Sequence, residues 1–117
     1  LQSKQSSVSV EVEFISDPNL QAPSVAVGFT LPEGKVVAGT GTHIDAVEVR
    51  RFADGTGSAK VVYPQLPFLK GQYLIFVYLL CEQGVHVYDY AHQCAMITVS
   101  QSNLEQGIIS LEHSWEL

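Results

Sequence analysis

The stretch Tyr73-Leu74-Ile75-Phe76-Val77-Tyr78-Leu79-Leu80-Cys81 (YLIFVYLLC, residues 73–81) decides the fold. It is apolar without a break, yet far shorter than the ~20 residues that a membrane helix needs. Read as a strand, it places Tyr73, Ile75, Val77 and Leu79 on one face and Leu74, Phe76, Tyr78 and Leu80 on the other. Such a strand is either central and covered on both sides, or covered on one side and functional on the other.

The segments around it have the same period of two. Val8, Val10, Val12 and Phe14 alternate with Ser9, Glu11 and Glu13, and Val25, Val27 and Phe29 repeat the pattern. Further strands are expected over 35–38, 46–52, 59–63, 85–90, 94–99 and 108–113. Turn-forming clusters separate them: Asp17-Pro18-Asn19, Leu31-Pro32-Glu33-Gly34, Gly39-Thr40-Gly41, Asp54-Gly55-Thr56-Gly57, Lys70-Gly71 and Glu82-Gln83-Gly84. No helical period of three turns is visible. The expectation is an all-β antiparallel sandwich of eight or nine strands, with Val10, Val12, Val27, Phe29, Val49, Tyr73, Ile75, Val77, Ile97 and Leu111 in its core.

Composition narrows the function. The chain has 117 residues, 46% hydrophobic and 15% charged, with a net charge of −6. That length suits one domain with its own core. The basic residues Lys4, Lys35, Arg50, Arg51, Lys60 and Lys70 form no stripe, so neither nucleic acid nor an anionic lipid surface is a fitting partner. Residues 1–7 (LQSKQSS) are polar and read as a linker or disordered lead-in, leaving 8–117 as the domain. Cys81 and Cys94 both fall in apolar strand-like segments and read as two buried thiols; a disulfide between neighbouring strands stays open if the domain is exported.

Catalytic chemistry finds little footing. There is no Gly-x-Ser-x-Gly elbow, and neither cysteine has a nucleophile context. His43 and Asp45 share a strand face, whereas His86, Asp89 and His92 alternate unless a turn intervenes, so these read as polar residues at strand ends rather than as a metal site. No catalytic residue, metal or cofactor is assigned.

The second half of the chain resembles a known family. Its order runs Leu66-Pro67-Phe68-Leu69-Lys70-Gly71-Gln72-Tyr73, then Val87-Tyr88-Asp89-Tyr90, then Met96-Ile97-Thr98-Val99, and closes on Gln106-Gly107-Ile108-Ile109-Ser110-Leu111-Glu112-His113-Ser114-Trp115. This resembles the C-terminal domain of the ATP-binding subunit (Wzt-type) of bacterial O-antigen polysaccharide ABC exporters. Ser24 to Thr30 and Gly39 to Thr42 are similar to its first half, and Ile97 stands where the family tends to have an aromatic. The resemblance implies an immunoglobulin-like sandwich, cytoplasmic at the inner face of the bacterial inner membrane. It implies binding of the modified non-reducing end of the O-antigen polysaccharide, which couples chain termination to export. It also implies contact with the membrane exporter through a parent ATPase, and a homodimer made by swapping the C-terminal strand. Gly71, Tyr73, Asp89, Gly107, His113 and Trp115 are then structural, with His113 and Trp115 anchoring the last strand.

The binding residues do not transfer by motif and are read from parity instead. If Tyr73, Ile75 and Val77 face the core, Phe76 and Tyr78 face outward; if Val47 and Val49 face the core, Glu48 and Arg50 face outward. His86 and Tyr88 share a parity, and His92 follows in the adjoining turn or strand. The expected carbohydrate-binding set is Phe76, Tyr78, Glu48, Arg50, His86, Tyr88 and His92: rings to stack on sugar C–H faces, with donors and acceptors for hydroxyls. The rival reading is a structural β-sandwich of adhesin or assembly type, with no glycan ligand; a hydrolase ranks third.

Overall fold

Alternation does in three dimensions what it promises in the sequence. The computed structural model describes residues 1–117, with the side chain of Gln93 outside the description. The strands are β1 (Val8–Ile15), β2 (Ser24–Thr30), β3 (Val36–Gly41), β4 (Arg50–Arg51), β5 (Thr56–Tyr63), β6 (Gly71–Leu80) and β7 (Val87–Val99). They form a three-stranded sheet in the order β1-β5-β4 and a four-stranded sheet in the order β3-β2-β6-β7, and every ladder is antiparallel. An isolated antiparallel bridge pairs Phe68 with Ile109 near the C-terminal end. The chain is therefore the all-β sandwich that the sequence leads one to expect.

The core lies between the two sheets. Val25, Val27 and Phe29 of β2 and Tyr73 and Ile75 of β6 are buried together with Phe14, Leu66, Phe68 and Val99. Val10, Val12, Val49, Val77 and Ile97 pack against them as partly buried neighbours. Aromatic rings join the sheets: Phe29 meets Tyr63 edge-on at 5.2 Å and Phe68 at 5.0 Å, and Phe68 stacks on Tyr73 at 4.6 Å. Burial pushes up the pKa values of the Tyr63 and Tyr73 phenols, and the nearby Asp45 charge adds to the shift at Tyr63.

Several expectations are corrected. Leu111 is 74% exposed rather than buried, and Trp115 is 83% exposed. Past the Phe68–Ile109 bridge the chain forms no strand, so His113 and Trp115 anchor nothing within one copy; His113 Nδ1 reaches only the Leu111 carbonyl, at 2.7 Å. The alternation that the tail shows is real, but a strand needs a neighbour and this one has none. Cys94 is exposed, its thiol donating to the Ile75 carbonyl at 3.3 Å, whereas Cys81 is buried; both are free. The expected strand over 46–52 is reduced to Arg50–Arg51. The expected strands over 85–90 and 94–99 belong to one strand, β7, whose pairing with β6 shifts at Tyr88 and again between Ala91 and Ala95.

The lead-in is not loose. The Ser3 N–H donates to the Ser100 carbonyl at 2.7 Å, the Lys4 N–H to the Leu66 carbonyl at 2.8 Å, and the Leu66 N–H to the Ser6 carbonyl at 2.9 Å. Polarity in this stretch serves backbone pairing, not solvation alone. On the opposite side of the molecule, Arg51 clamps the first loop by donating to the carbonyls of Asp17 at 3.2 Å and Leu20 at 2.8 Å. Among the described residues, no helix is long and apolar enough to cross a membrane.

The Tyr73 hydroxyl donates to the Leu69 carbonyl at 2.7 Å inside this core. Tyr73→Phe leaves that carbonyl without its donor, so the free energy of urea unfolding should fall by about 1–2 kcal/mol with an unchanged denaturant slope. A variant as stable as the parent would show that the bond holds nothing.

Candidate functional site

Because Val27 and Phe29 of β2 point into the core, Ala26, Gly28 and Thr30 point out, and register places them beside Tyr78, Phe76 and Leu74 of β6. On the next strand, Gly39 lies opposite Gly28 and Gly41 opposite Ala26. The outer face of the four-stranded sheet therefore has a floor of glycines and alanine on β2 and β3. The Phe76 ring occupies that floor: a Cβ on Gly28 would run into its Cζ and Cε1 atoms and would sit 2.6 Å from the Ala38 carbonyl. The same Cβ on Gly39 would lie 3.5 Å from the Phe76 ring. Glycine is needed here for close approach.

β7 supplies the other half. Tyr90 is the register partner of Tyr78, and the regular pairing breaks between Val77–Ala91 and Ile75–Ala95. Four residues of β7 advance there against two of β6, so the strand bulges just past Ala91. The bulge brings the His92 ring to Tyr78: the Tyr78 hydroxyl and His92 Nε2 share a hydrogen bond of 2.6 Å. The rings form a continuous patch. Phe76 meets Tyr78 edge-on at 5.6 Å, Tyr78 lies 6.0 Å from Tyr90 and 5.4 Å from His92, and Tyr90 lies 4.7 Å from His92. Beside them a groove of about 190 Å³ is lined by Thr30, Gly34, Val36, Phe76, Tyr78 and His92. No Lys or Arg is among those six residues. The half-buried rings of Phe76 and Tyr78, the exposed Tyr90 and His92 beside them, and the absence of a cation from that lining suit a neutral ligand that offers both C–H faces and hydroxyls.

The structure thus brings together Phe76, Tyr78 and His92 from the expected set. Glu48 and Arg50 are not near them: Arg50 lies on β4 in the other sheet, over the Phe52 ring at 5.5 Å, and Glu48 precedes it in the chain. Both are exposed, but exposure elsewhere on the surface is not proximity, and Val47, whose burial their parity assumed, is itself 59% exposed. His86 is exposed in the β6–β7 turn, where its carbonyl accepts from the Cys81 N–H at 2.8 Å. Tyr88 is an exposed extra residue at the second irregularity of β7, between the pairs Leu79–Asp89 and Leu80–Val87. Neither belongs to the ring-contact group. Tyr90 was missed as a site residue, although it shares the parity of Tyr88 and His92 and needed only the β6–β7 register to be found. The Cys81 sulfur sits in the same turn and accepts from the N–H groups of Val85 at 3.4 Å and His86 at 3.3 Å. The His86 bond, followed by those of Val85 and Gln83, holds its thiol pKa below the ordinary value.

Two comparisons bear on this architecture. The family model described as the Wzt C-terminal domain matches residues 1–111, lead-in included. A solved structure described as the crystal structure of the C-terminal domain of wzt superposes with a TM-score of 0.80 at 14% sequence identity, covering 99% of this chain and 72% of that one. At that identity the superposition speaks for the fold alone. No curated protein matches the chain.

The glycine floor generates a test. Gly28→Ala pushes a methyl group into Phe76 and the Ala38 carbonyl, and should lower stability by about 1–3 kcal/mol while moving the Phe76 ring signals in NMR spectra. Adding Phe76→Leu should recover part of the loss. Unshifted ring signals in Gly28→Ala would mean that Phe76 does not rest on this floor.

Proposed function

The chain belongs to the Wzt C-terminal domain family, and from that premise we propose that it is a non-catalytic module that binds the modified non-reducing end of an O-antigen polysaccharide and so couples chain termination to export by an ABC transporter. It works at the cytoplasmic face of the inner membrane and contacts the membrane exporter through a parent ATPase. The observation that carries the reading is the outward patch of Phe76, Tyr78, Tyr90 and His92 beside the groove at Thr30 and Val36. A monomeric sandwich has no internal need for four clustered rings on its outer face. Sugar rings lay C–H faces on such rings, and the Tyr78–His92 pair offers a donor and an acceptor to a hydroxyl. The patch is shallow, so each hydroxyl bond nearly exchanges with one to water, and Kd falls in the micromolar to millimolar range on the order of magnitude expected for few desolvated atoms.

The same reading includes a homodimer through exchange of the C-terminal strand. Its support is an open cleft of about 950 Å³ between the sheets, lined by Val12, Phe14, Phe52, Val77 and Leu79 among others. β1 and β7, which also line it, each have a partner on one side only. The tail beyond Ser110 carries Leu111, Trp115 and Leu117 uncovered. The tail of a second copy supplies the apolar surface that the cleft lacks, and an exchanged element keeps the contacts of one sandwich.

Binding is measured by calorimetric titration of the chain with capped and uncapped O-polysaccharide. Tyr78→Ala and His92→Ala should each weaken binding of the capped form at least tenfold with little change in Tm, and Arg50→Ala should bind like the parent. Parent-like binding by both site variants would move the site elsewhere. Absence of binding to any capped polysaccharide would favour the structural-module reading.

The tail is tested separately by light scattering after size exclusion. Residues 108–110 hold the fold, since the Leu69 N–H donates to the Ile108 carbonyl at 2.7 Å and the Ser110 N–H to the Pro67 carbonyl at 2.8 Å. Truncation after Ser110 should therefore leave a folded monomer where the full chain is a dimer. A truncated chain that still dimerises would remove the strand exchange.

A further inference from the structure

The segment 46–49 reads as strand in the sequence and is not strand in the structure. β5 is paired with β1 along its whole length, from Thr56 to Tyr63. On its other edge it meets only Arg50, opposite Ser58, and Arg51, opposite Gly57. The edge of β5 beyond Ser58 is open. Continuing the same register sets Val49 opposite Ala59, Glu48 opposite Lys60, Val47 opposite Val61 and Ala46 opposite Val62. The bond from the Phe52 N–H to the Thr56 carbonyl, 2.8 Å, fixes the phase. The pairs 48/60 and 46/62 would then exchange backbone hydrogen bonds, and 47/61 would be a closely spaced pair without them.

In the structure these residues are held elsewhere. The Ile44 and Asp45 N–H groups donate to the Gly41 carbonyl at 3.0 and 3.1 Å, and the Val47 N–H reaches back to the Thr42 carbonyl at 2.9 Å. That last bond closes a helical turn around Ala46, which sits at φ 55°. This is the left-handed cap position usually given to glycine, and alanine is strained there. The consequence is an uncovered face. Val47 is 59% exposed. Beneath it a cavity of about 220 Å³ runs between the sheets, lined by Val10, Val27, Val47, Ala59 and Val61, with Asp45 and Lys60 also at its wall.

We infer that residues 46–49 are a strap with two seats, which closes by extending the β4–β5 ladder so that Val47 fills the cavity between the sheets. Parity supports the fit. Ala59 and Val61 pack on the core and Val49 already joins them, so Val47 on the extended ladder faces inward as well. Glu48 turns outward beside Lys60, whose neighbour across the sheet on β1 is Glu11. Closure gives up the Val47–Thr42 bond. In return it releases the left-handed Ala46, buries an exposed valine, pairs the free edge and sets opposite charges side by side.

The test uses the full chain and needs no glycan. Ala46→Gly relieves the strain of the open seat, whereas Ala46→Val raises it, because a β-branched residue fits a strand and not a left-handed cap. Amide hydrogen exchange of Glu48, Lys60 and Val62 reports the closed ladder. These amides should be at least about fivefold better protected in Ala46→Val than in Ala46→Gly. A Val47→Cys/Val61→Cys chain with Cys81→Ser and Cys94→Ser should cross-link under mild oxidation, faster with Ala46→Val added than with Ala46→Gly. If Ala46→Val does not fold, Glu48→Lys and Lys60→Glu replace it: each alone should lower the protection, and the two together should restore it. Equal exchange in the two Ala46 variants, or in the charge-swap series, overturns the strap, as does a pair of cysteines that never joins.

Discussion

The hydrogen bond from Tyr73 to Leu69, 2.7 Å long and buried, sets the phase of β6. Once Tyr73 points inward and stacks on Phe68, every later residue of the strand has its side assigned. Ile75 and Val77 go to the core, and Phe76 and Tyr78 go to the outer face. A slip of one residue would bury Phe76 and Tyr78 and expose Tyr73. The candidate site is thus a by-product of core packing: the rings are outside because the residues beside them must be inside. The turn Leu66–Leu69 takes part in this, with Leu66, Phe68 and Leu69 all buried, and so fixes where β6 begins.

What the sequence made legible follows from the reach of each rule. Parity is local, so the inward set Val27, Phe29, Tyr73 and Ile75 and the outward pair Phe76 and Tyr78 could be read directly. Sheet membership is not local. Glu48 and Arg50 are exposed, but Arg50 lies on the other sheet and Glu48 just outside it, and nothing in their neighbourhood of the chain says so. The bulge that swings His92 onto Tyr78 was hidden in the same way, since two extra residues on β7 have no signature apart from their partner strand. Leu66 and Leu69 lie outside any alternating run, and burial of a turn is decided by what folds over it. Leu111 and Trp115 show the limit from the other side: their apolar character is plain, but one copy of the chain provides nothing to cover them.

The two ends of the described chain contrast in a way that composition alone would reverse. The polar lead-in is tied at Ser3, Lys4 and Ser6 to Ser100 and Leu66, whereas the apolar tail after Ser110 is unattached. Backbone groups need partners wherever they lie against the fold, and the lead-in finds them. Side-chain hydrophobicity, by comparison, stabilises a segment only where another surface is available.

The irregularities of β7 have a consequence for solubility. β7 is a long outer strand with Asp89 as its one charged side chain and no proline, the composition that invites indefinite edge-to-edge stacking. Its pairing with β6 is interrupted at Tyr88 and again between Ala91 and Ala95. These kinks divide the outer edge into short runs, the longest regular one being Ala95 to Val99. An incoming strand finds no extended template, and a growing ribbon would have to reproduce both kinks in each added chain. Local irregularity here takes the part that lysines play on other sheet edges, and it leaves the aromatic surface uncharged.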